Sequence, residues 1–311
     1  MSLPKVSICI PAYKQIKFLR KNLESIKSQT YQDYEIILTD DSPNNDVKNL
    51  VELFDFQGKL RYYKNLKTLG SPENWNEAIR YATGEYIKIL HHDDWFKNKN
   101  SLSEFVKMLD ENPNADFAFC PSFVQYAKDG RTRIHDISFE QRISLKTEPT
   151  SLFYGNIIGS PSATIHRRKV NILFDKNLKW TVDFDFYISI LNKNSHFAFN
   201  PQPLIVNITE AEHNVTNDCI YNKQADIFEY FYVYNKIRNV IPTTRKKKYV
   251  AMLSDIVAHY RVKSIKEIRD CGYQNDVPRF VSFLIFLNNF LPTTVIKYCI
   301  AKYDRSHKAV M

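Results

Sequence analysis

Strand-length apolar runs alternate with amphipathic helical segments over residues 5–95, and three of the four runs end in a polar cluster. The clusters follow the first, second and fourth runs, and they are Pro11-Ala12-Tyr13, Asp40-Asp41-Ser42 and His91-His92-Asp93-Asp94. Strands that alternate with helices favour right-handed crossovers and a mainly parallel sheet. Because ligands of such sheets bind at the carboxyl ends of the strands, the sequence predicts that the three clusters form one polar surface.

Beyond residue 100 the pattern changes. Residues 116–135 are typical of strands joined by an Asp129-Gly130 turn, and the stretch 155–166 leads into a further strand. Apolar spacing over 180–191 predicts a buried helix with Asp183 and Asp185 in its first turn. From about residue 221 the chain is predicted to be mostly helical and rich in aromatic residues.

The adjacent carboxylates Asp93 and Asp94 stand at the end of a predicted buried strand, where like charges repel each other. A bound divalent metal ion would supply the compensating positive charge, and a solvated turn is the alternative. The sequence contains neither G-x-G-x-x-G nor a P-loop motif, so it lacks the backbone signatures that bind phosphate groups. A metal ion held by carboxylates is the usual substitute.

The net charge of +9 comes from the C-terminal part of the chain, because residues 236–311 contain 15 basic and 5 acidic residues. Such a region suits nucleic acid, an anionic membrane surface or a solvated helix face. The apolar stretch 280–302 is short and interrupted by polar residues, so we expect it to lie on a membrane surface or in a core rather than to span a bilayer. The first residues lack a secretory signal pattern, which predicts a cytoplasmic location, free or on the inner face of the cell membrane.

Six stretches in order resemble the family 2 inverting glycosyltransferases, whose nucleotide-sugar-binding fold is called GT-A. They are VSICIPAYKQ at 6–15, EIILTDDSPN at 35–44, GSPENWNEAIRYATGEYIKILHHDDW at 70–95, SATIHRRKV at 162–170, WTVDFDF at 180–186 and EHNVT at 212–216. The resemblance implies an α/β fold of the GT-A class, with a mixed, mainly parallel sheet flanked by helices and a helical C-terminal extension. It divides the chain into a nucleotide-sugar-binding half (1–115), an acceptor-binding and catalytic half of the same domain (116–220) and a basic helical region (221–311).

The resemblance also assigns roles to individual residues. The nucleotide-sugar-binding residues that it implies are Pro11, Ala12, Tyr13, Asp40, Asp41, Asn76 and Asp93. Asp94 is expected to bind Mn²⁺ or Mg²⁺, with His213 as a second metal ligand. Asp183 is the implied general base, although a carboxylate in the first turn of a helix also stabilises the helix dipole.

The chain departs from the family pattern at two positions. His91 replaces the first acid of the family's Asp-x-Asp-Asp motif, and Asn74-Trp75-Asn76 replaces a frequent Ala-Arg-Asn. The missing arginine shifts the expected recognition of phosphate to Lys64 or Lys67.

These expectations predict an enzyme: a metal-dependent inverting glycosyltransferase that moves a sugar from a nucleotide-diphosphate donor, expected to be a UDP-sugar, to a glycan acceptor. The expected acceptor is lipid-linked, the expected process is surface polysaccharide assembly, and the expected partner surface is an anionic membrane rather than nucleic acid. The alternative is a non-catalytic protein that binds nucleic acid or a membrane surface on a degenerate GT-A scaffold.

Overall fold

The computed structural model describes residues 3–210 and 222–305, which form two compact units. The first unit comprises the described residues of Met1–Pro149, Asn156–Asn177 and Val182–Asn214. The second comprises Thr150–Gly155, Leu178–Thr181 and the described residues of Val215–Met311. The predicted halves 1–115 and 116–220 therefore contribute to one unit, and two short stretches before residue 182 belong with the C-terminal region.

All the strands of the described residues lie in the first unit. They are β1 (Val6–Ala12), β2 (Tyr34–Asp40), β3 (Leu60–Lys64), β4 (Tyr86–Ile89), β5 (Trp95–Phe96), β6 (Phe117–Phe119), β7 (Ser122–Tyr126), β8 (Thr132–His135), β9 (Thr164–Arg167), β10 (Phe197–Phe199) and β11 (Ile205–Thr209). The helices of this unit are α1 (Ile16–Lys27), α2 (Asp46–Val51), α3 (Glu73–Tyr81), α4 (Ser101–Asp110), α5 (Phe139–Thr147) and α6 (Val182–Lys193).

A seven-stranded sheet has the order β10-β6-β9-β4-β1-β2-β3, and a four-stranded sheet has the order β5-β11-β7-β8. In the larger sheet β9 runs antiparallel to both of its neighbours, and the other pairs are parallel. The predicted mixed, mainly parallel sheet is therefore present. The smaller sheet contains β5 and β11, which sequence reasoning did not predict; β5 has only two residues, too few to show a periodic pattern.

Strand β1 is buried on both faces, although its alternating sequence suggested one polar face. The polar residue Ser7 is fully buried, and its hydroxyl donates a hydrogen bond to Glu35 at 2.6 Å and accepts one from the amide of Gly84 at 2.8 Å. Gly84 approaches so closely that a Cβ there would lie 2.6 Å from the Ser7 nitrogen. Buried polar groups are tolerated when they are hydrogen-bonded in this way.

The second unit is helical, as predicted. Its helices are α7 (Lys223–Ile237), α8 (Lys246–His259), α9 (Ile265–Asp270), α10 (Arg279–Leu287) and α11 (Thr293–Arg305). A core of Ala251, Ala258, Leu284, Ile296 and Ile300 joins α8, α10 and α11. The stretch 280–302 thus contributes its inner face to this core. None of the helices in the described part of the chain is long and apolar enough to cross a bilayer.

Candidate functional site

The register of the large sheet brings the ends of β1, β2 and β4 together. Ala12 pairs with Asp40 and Cys9 pairs with Ile89, so the three polar clusters begin at one level of the sheet. The amide of Asp41 donates to the carbonyl of Ala12 at 3.0 Å, which links the first two clusters directly. The single polar surface predicted from the strand ends is present.

Asp40 is fully buried, and its carboxylate is surrounded by donors. It accepts hydrogen bonds from the Ser42 amide at 2.8 Å, the Tyr62 hydroxyl at 2.7 Å and the Lys64 ammonium at 2.9 Å. Lys64 also donates to the carbonyls of Ser42 and Asn44. Lys64, a candidate for binding phosphate, therefore holds the turn after β2.

Asp41 is also buried, and it fixes the loop that precedes α3. Its carboxylate accepts hydrogen bonds from the Asn65 side chain at 2.7 Å and from the amides of Leu69 and Gly70 at 3.1 and 2.8 Å. Tyr13, by contrast, is 42% exposed at the end of β1, where an aromatic ring can stack on a planar ligand.

The side chain of Asn76 is occupied within the protein. It is 1% exposed, its amide donates to the Phe174 carbonyl at 2.8 Å, and its oxygen accepts from the Phe174 amide at 2.8 Å. This pair of hydrogen bonds joins α3 to the loop before α6. The geometry gives Asn76 a structural role, and the nucleotide contact that the resemblance implies for it stays a prediction.

The turn after β4 is tied to its surroundings by backbone contacts. Asn22, fully buried on α1, donates from Nδ2 to the carbonyls of His91 and Asp94 at 2.9 and 2.7 Å. His92 Nδ1 lies 3.1 Å from the Pro11 carbonyl, which connects this turn to the end of β1. These contacts fix the backbone that presents Asp93 and Asp94.

The carboxylate of Asp94 is buried beside the loop before β9. Ser160 Oγ donates to Asp94 Oδ2 at 3.2 Å, and Asn207 Nδ2 approaches the same carboxylate without reaching hydrogen-bonding geometry. Burial, followed by the charge of Asp93, raises the pKa of Asp94 to about 7. Ionisation of this buried carboxyl group is unfavourable without a neighbouring positive charge, so a cation bound nearby would stabilise the carboxylate.

His91 packs against Trp75, with 4.5 Å between the ring centroids, and its Nδ1 lies 4.0 Å from Asp94 Oδ2. Burial lowers the pKa of His91 to about 4, so the imidazole is neutral near pH 7. The residue that replaces the family's first acid therefore supplies no positive charge to balance Asp94.

Asp183 begins the first turn of α6, and its Oδ1 is buried without a hydrogen-bond partner among the described residues. Burial, and secondly the charge of Asp94, raise the pKa of Asp183 to about 7. The second cause means that these two carboxylates, distant in sequence, lie in one electrostatic environment. The neighbouring Asp185 is buried in the same turn.

Among the described residues, the turn after β4 supplies carboxylate oxygens that suit a divalent metal ion. No group of three or more His, Cys, Asp or Glu side chains within 3–210 and 222–305 is arranged to bind a metal ion, and the predicted ligand His213 lies outside the described residues. Mg²⁺ and similar ions are often held by one or two carboxylates plus the phosphates of the substrate. The buried carboxylate of Asp94 fits that arrangement.

Sequence reasoning missed the groups that position the Asp94 turn, namely Asn22 and Ser160. Ser160 follows Gly159, whose φ of 99° lies in the left-handed region, and precedes Pro161. A Gly-Ser-Pro-Ser sequence is a recognisable loop signal, but it does not indicate which carboxylate the serine contacts.

Comparison with known proteins decides the family. The family model described as glycosyl transferase family 2 matches residues 7–173, more than half of the chain. The chain belongs to glycosyl transferase family 2. This confirms the predicted family. The matched range contains the ends of β1, β2 and β4 and the turn that carries Asp94.

Curated relatives carry the same class of name. An uncharacterized glycosyltransferase of Rickettsia conorii is 22% identical over 306 residues, which cover 95% of this chain and 46% of that protein. GalNAc(5)-diNAcBac-PP-undecaprenol beta-1,3-glucosyltransferase of Campylobacter jejuni is 32% identical over 120 residues, 38% of each protein. The family 2 chain spans about half the length, or less, of these two relatives.

Solved structures confirm the predicted fold class. TarS of S. aureus in complex with UDP-GlcNAc has a TM-score of 0.63 and 16% identity, with 98% of the family 2 chain and 92% of that chain covered. The mannosyltransferase PcManGT of Pyrobaculum calidifontis, in complex with GDP-Man and Mn²⁺, has a TM-score of 0.57 and 15% identity, with 99% and 87% covered. At these identities the similarity concerns the fold alone.

Proposed function

We propose that the chain is a metal-dependent inverting glycosyltransferase that uses a nucleotide-diphosphate sugar, with UDP as the expected nucleotide. The observation that carries the proposal is the shared environment of Asp94 and Asp183, two buried carboxylates that come from a strand end and from a helix start. One can hold a cation at the leaving group while the other accepts a proton from the attacking hydroxyl.

The donor would lie across the carboxyl ends of β1, β2 and β4. Tyr13 is available to stack on the base, while the rigid loops fixed by Asp40 and Asp41 shape the pocket for it. Asp93 is placed next to Asp94 and would contact the ribose. The complexes of TarS with UDP-GlcNAc and of PcManGT with GDP-Man support a donor of this class.

Asp94 would hold Mn²⁺ or Mg²⁺ together with the donor diphosphate. When bound, such an ion stabilises the negative charge that accumulates on the leaving nucleotide diphosphate. Ser160 orients the Asp94 carboxylate, and Asn22 fixes the backbone of the turn. The Mn²⁺ in the PcManGT complex supports this assignment.

Asp183 would act as the general base for an acceptor hydroxyl that attacks the sugar from the face opposite the leaving group. A base works best when its pKa lies near the working pH, and burial moves the pKa of Asp183 in that direction. Its Oδ1 has no hydrogen-bond partner among the described residues and is the atom that would accept the proton. One proton passes from the hydroxyl to Asp183 as the new glycosidic bond forms.

The acceptor is proposed to be a glycan, carried on a polyprenyl lipid and used in surface polysaccharide assembly. The name of the Campylobacter jejuni relative, which describes transfer to an undecaprenyl-diphosphate-linked glycan, supports this class of acceptor. We place the protein in the cytoplasm, on the inner face of the cell membrane, where such an acceptor is accessible.

The test is calorimetric titration of UDP and GDP into the protein with Mn²⁺, with Mg²⁺ and with EDTA, followed by hydrolysis assays on a panel of nucleotide sugars. We expect Mn²⁺ to tighten UDP binding and one UDP-sugar to be hydrolysed. The Asp94→Asn variant is the control, because it should bind UDP equally with and without metal. Absence of nucleotide binding in every condition, with no hydrolysis, would reject the enzyme and favour a degenerate scaffold.

A further inference from the structure

The outer face of the last two helices in the described chain is apolar and exposed. Phe283 and Phe286 on α10 are 52% and 60% exposed, and Phe290, in the connection to α11, is 70% exposed. The rings of Phe286 and Phe290 are in contact, with 5.1 Å between centroids. Val295 and Tyr298 on α11 are 40% and 69% exposed. These five residues are called the aromatic face below.

The aromatic face is not a mispacked core. The opposite side of the same helices is already buried, with Val281, Leu284, Ile296 and Ile300 between 0% and 4% exposed. Of the exposed phenylalanines in the described residues, three of the four lie within the eight residues 283–290, the fourth being Phe139. Concentration of large apolar side chains in one exposed patch is typical of an interaction surface.

Basic residues lie beside the connection that carries Phe290, and the segment of the aromatic face contains no acidic residue. The sequence contains no Asp or Glu between Asp276 and Asp304. The Arg261 guanidinium donates to the Asn288 carbonyl at 3.3 Å, and the Asn289 side chain donates to the Lys263 carbonyl at 3.0 Å. These hydrogen bonds hold two exposed basic residues beside the connection that carries Phe290.

We propose that the aromatic face inserts into the headgroup region of an anionic bilayer, with Phe283, Phe286 and Phe290 as the inserted side chains and the basic rim on the lipid headgroups. Apolar side chains that enter the interface, together with lysine and arginine around them, are the two forces that bind peripheral proteins to membranes. Membrane binding itself needs no donor or catalysis; only its link to a lipid-linked acceptor rests on the proposed function.

A second copy of the chain fits this surface less well. A twofold interface places the same patch against itself, so the rim at Arg261 and Lys263 would meet an equally basic rim. Like charges across an interface oppose association, whereas phosphatidylglycerol headgroups would neutralise them. Charge complementarity therefore favours an anionic lipid surface.

The experiment is co-sedimentation of the full chain with vesicles of phosphatidylcholine alone and of phosphatidylcholine with phosphatidylglycerol. We expect binding to the anionic vesicles, and a loss of at least ~10-fold in binding for the triple variant Phe283→Ser, Phe286→Ser, Phe290→Ser, because the inserted apolar groups supply the anchoring. Phe139→Ser is the matched control, since Phe139 is 64% exposed and lies in the first unit, and it should bind like the parent. Arg261→Gln with Lys263→Gln should reduce the preference for anionic vesicles.

If the triple variant unfolds, the fluorescence of a single tryptophan placed at position 286 tests the proposal instead. Phe286→Trp should gain fluorescence that brominated lipid quenches more strongly than the fluorescence of the parent. Equal vesicle binding by parent and a folded triple variant, or an unquenched tryptophan at position 286, would overturn the proposal. So would a parent dimer that the triple variant dissociates without any vesicle binding. Donor hydrolysis without vesicle binding would reject only the membrane inference. Vesicle binding without donor hydrolysis would reject only the proposed function.

Discussion

The Ser160 hydroxyl donates a hydrogen bond to Oδ2 of Asp94 at 3.2 Å, which joins the loop before β9 to the turn after β4. Asp94 is 4% exposed, and in the proposed site a cation must meet both its carboxylate and a diphosphate. Loss of a group that orients a metal ligand typically lowers metal affinity by about 10–100-fold. Ser160 is therefore a positioning residue for the proposed metal site.

Ser160→Ala should raise the Mn²⁺ concentration for half-maximal sugar transfer by about tenfold, because the Asp94 carboxylate loses the donor that orients it. The maximal rate at saturating Mn²⁺ should recover to near the parent value, which a general structural defect would not allow. The measurement is a Mn²⁺ titration at fixed donor, and Ser160→Thr, which keeps a hydroxyl, is the control. An unchanged Mn²⁺ midpoint would remove Ser160 from the site.

Asp94→Asn is expected to abolish transfer and to make UDP binding independent of Mn²⁺, because the neutral amide no longer attracts the cation that balances the diphosphate. Asp93→Asn is the comparison variant, because we propose that Asp93 contacts the ribose rather than the metal ion. It should weaken donor binding while the response to Mn²⁺ persists. Calorimetry of UDP with and without Mn²⁺ distinguishes the two, and a metal response retained by Asp94→Asn would contradict the assignment.

His166 on β9 predicts a loss of stability in acid. It is 3% exposed and packs edge-on against Phe186, and burial, followed by the charge of Lys88, lowers the pKa of His166 to about 4. Between that value and the usual value near 6.5, the unfolded chain binds a proton that the folded chain does not. The free energy of unfolding therefore decreases as pH falls through this range, by about 2 kcal/mol between pH 7 and pH 5.

The test is urea denaturation of the parent and of His166→Leu at these two pH values. The variant removes the titrating ring, so the difference between its two unfolding free energies should be smaller than in the parent by about 2 kcal/mol. His196→Leu is the control, because His196 is not buried. Equal pH dependence in parent and His166→Leu would mean that the imidazole is not held neutral.

Much of the site was predictable because parallel strands end at one edge of a sheet. Asp40 and Asp93 follow apolar runs that the sequence shows plainly, and the register of β1 with β2 and β4 then brings them together. The role proposed for Asp183 came from the family resemblance, since no local pattern relates α6 to the turn after β4. Asn22 and Ser160 were missed because a buried polar side chain reveals its partner only after the chain has folded.

Glu229 on α7 should be important for the stability of the second unit. Its buried carboxylate accepts hydrogen bonds from the amides of Lys179, Trp180 and Thr181 at 3.0, 2.9 and 2.8 Å, and from the Thr181 hydroxyl at 3.0 Å. Glu229→Gln places an NH₂ group where a donor already points, so at least one amide loses its acceptor. We expect a loss of about 1–3 kcal/mol in unfolding free energy.

Thermal unfolding of Glu229→Gln against Glu24→Gln, an exposed glutamate on α1, measures this loss. A melting temperature equal to that of the control would show that the three amides find other acceptors. Residues 179–181 directly precede Asp183 in sequence, so the same variant also tests whether this segment must be fixed for transfer activity.

Asp183→Asn tests the proposed mechanism most directly, because it keeps the shape of the side chain and removes its ability to accept a proton. Oδ1 of Asp183 is buried and has no hydrogen-bond partner in the described residues, so no hydrogen bond to this atom explains a carboxylate there. General-base catalysis typically contributes 10²–10⁴-fold, so transfer should fall by something on the order of 10³, with UDP and Mn²⁺ binding nearly unchanged. Asp185→Asn is the matched control within the same helical turn.

The helix-dipole explanation of Asp183 makes a different prediction for the same variant. An asparagine in the first turn loses only the favourable interaction of a charge with the helix, about 0.3–1 kcal/mol, and the transfer rate would be retained. Because burial raises the pKa of Asp183, the parent rate should also fall as pH drops through about 7, and the residual rate of Asp183→Asn should lack that step. Transfer within about threefold of the parent at saturating donor and acceptor would exclude Asp183 as the base and direct the search to Asp185.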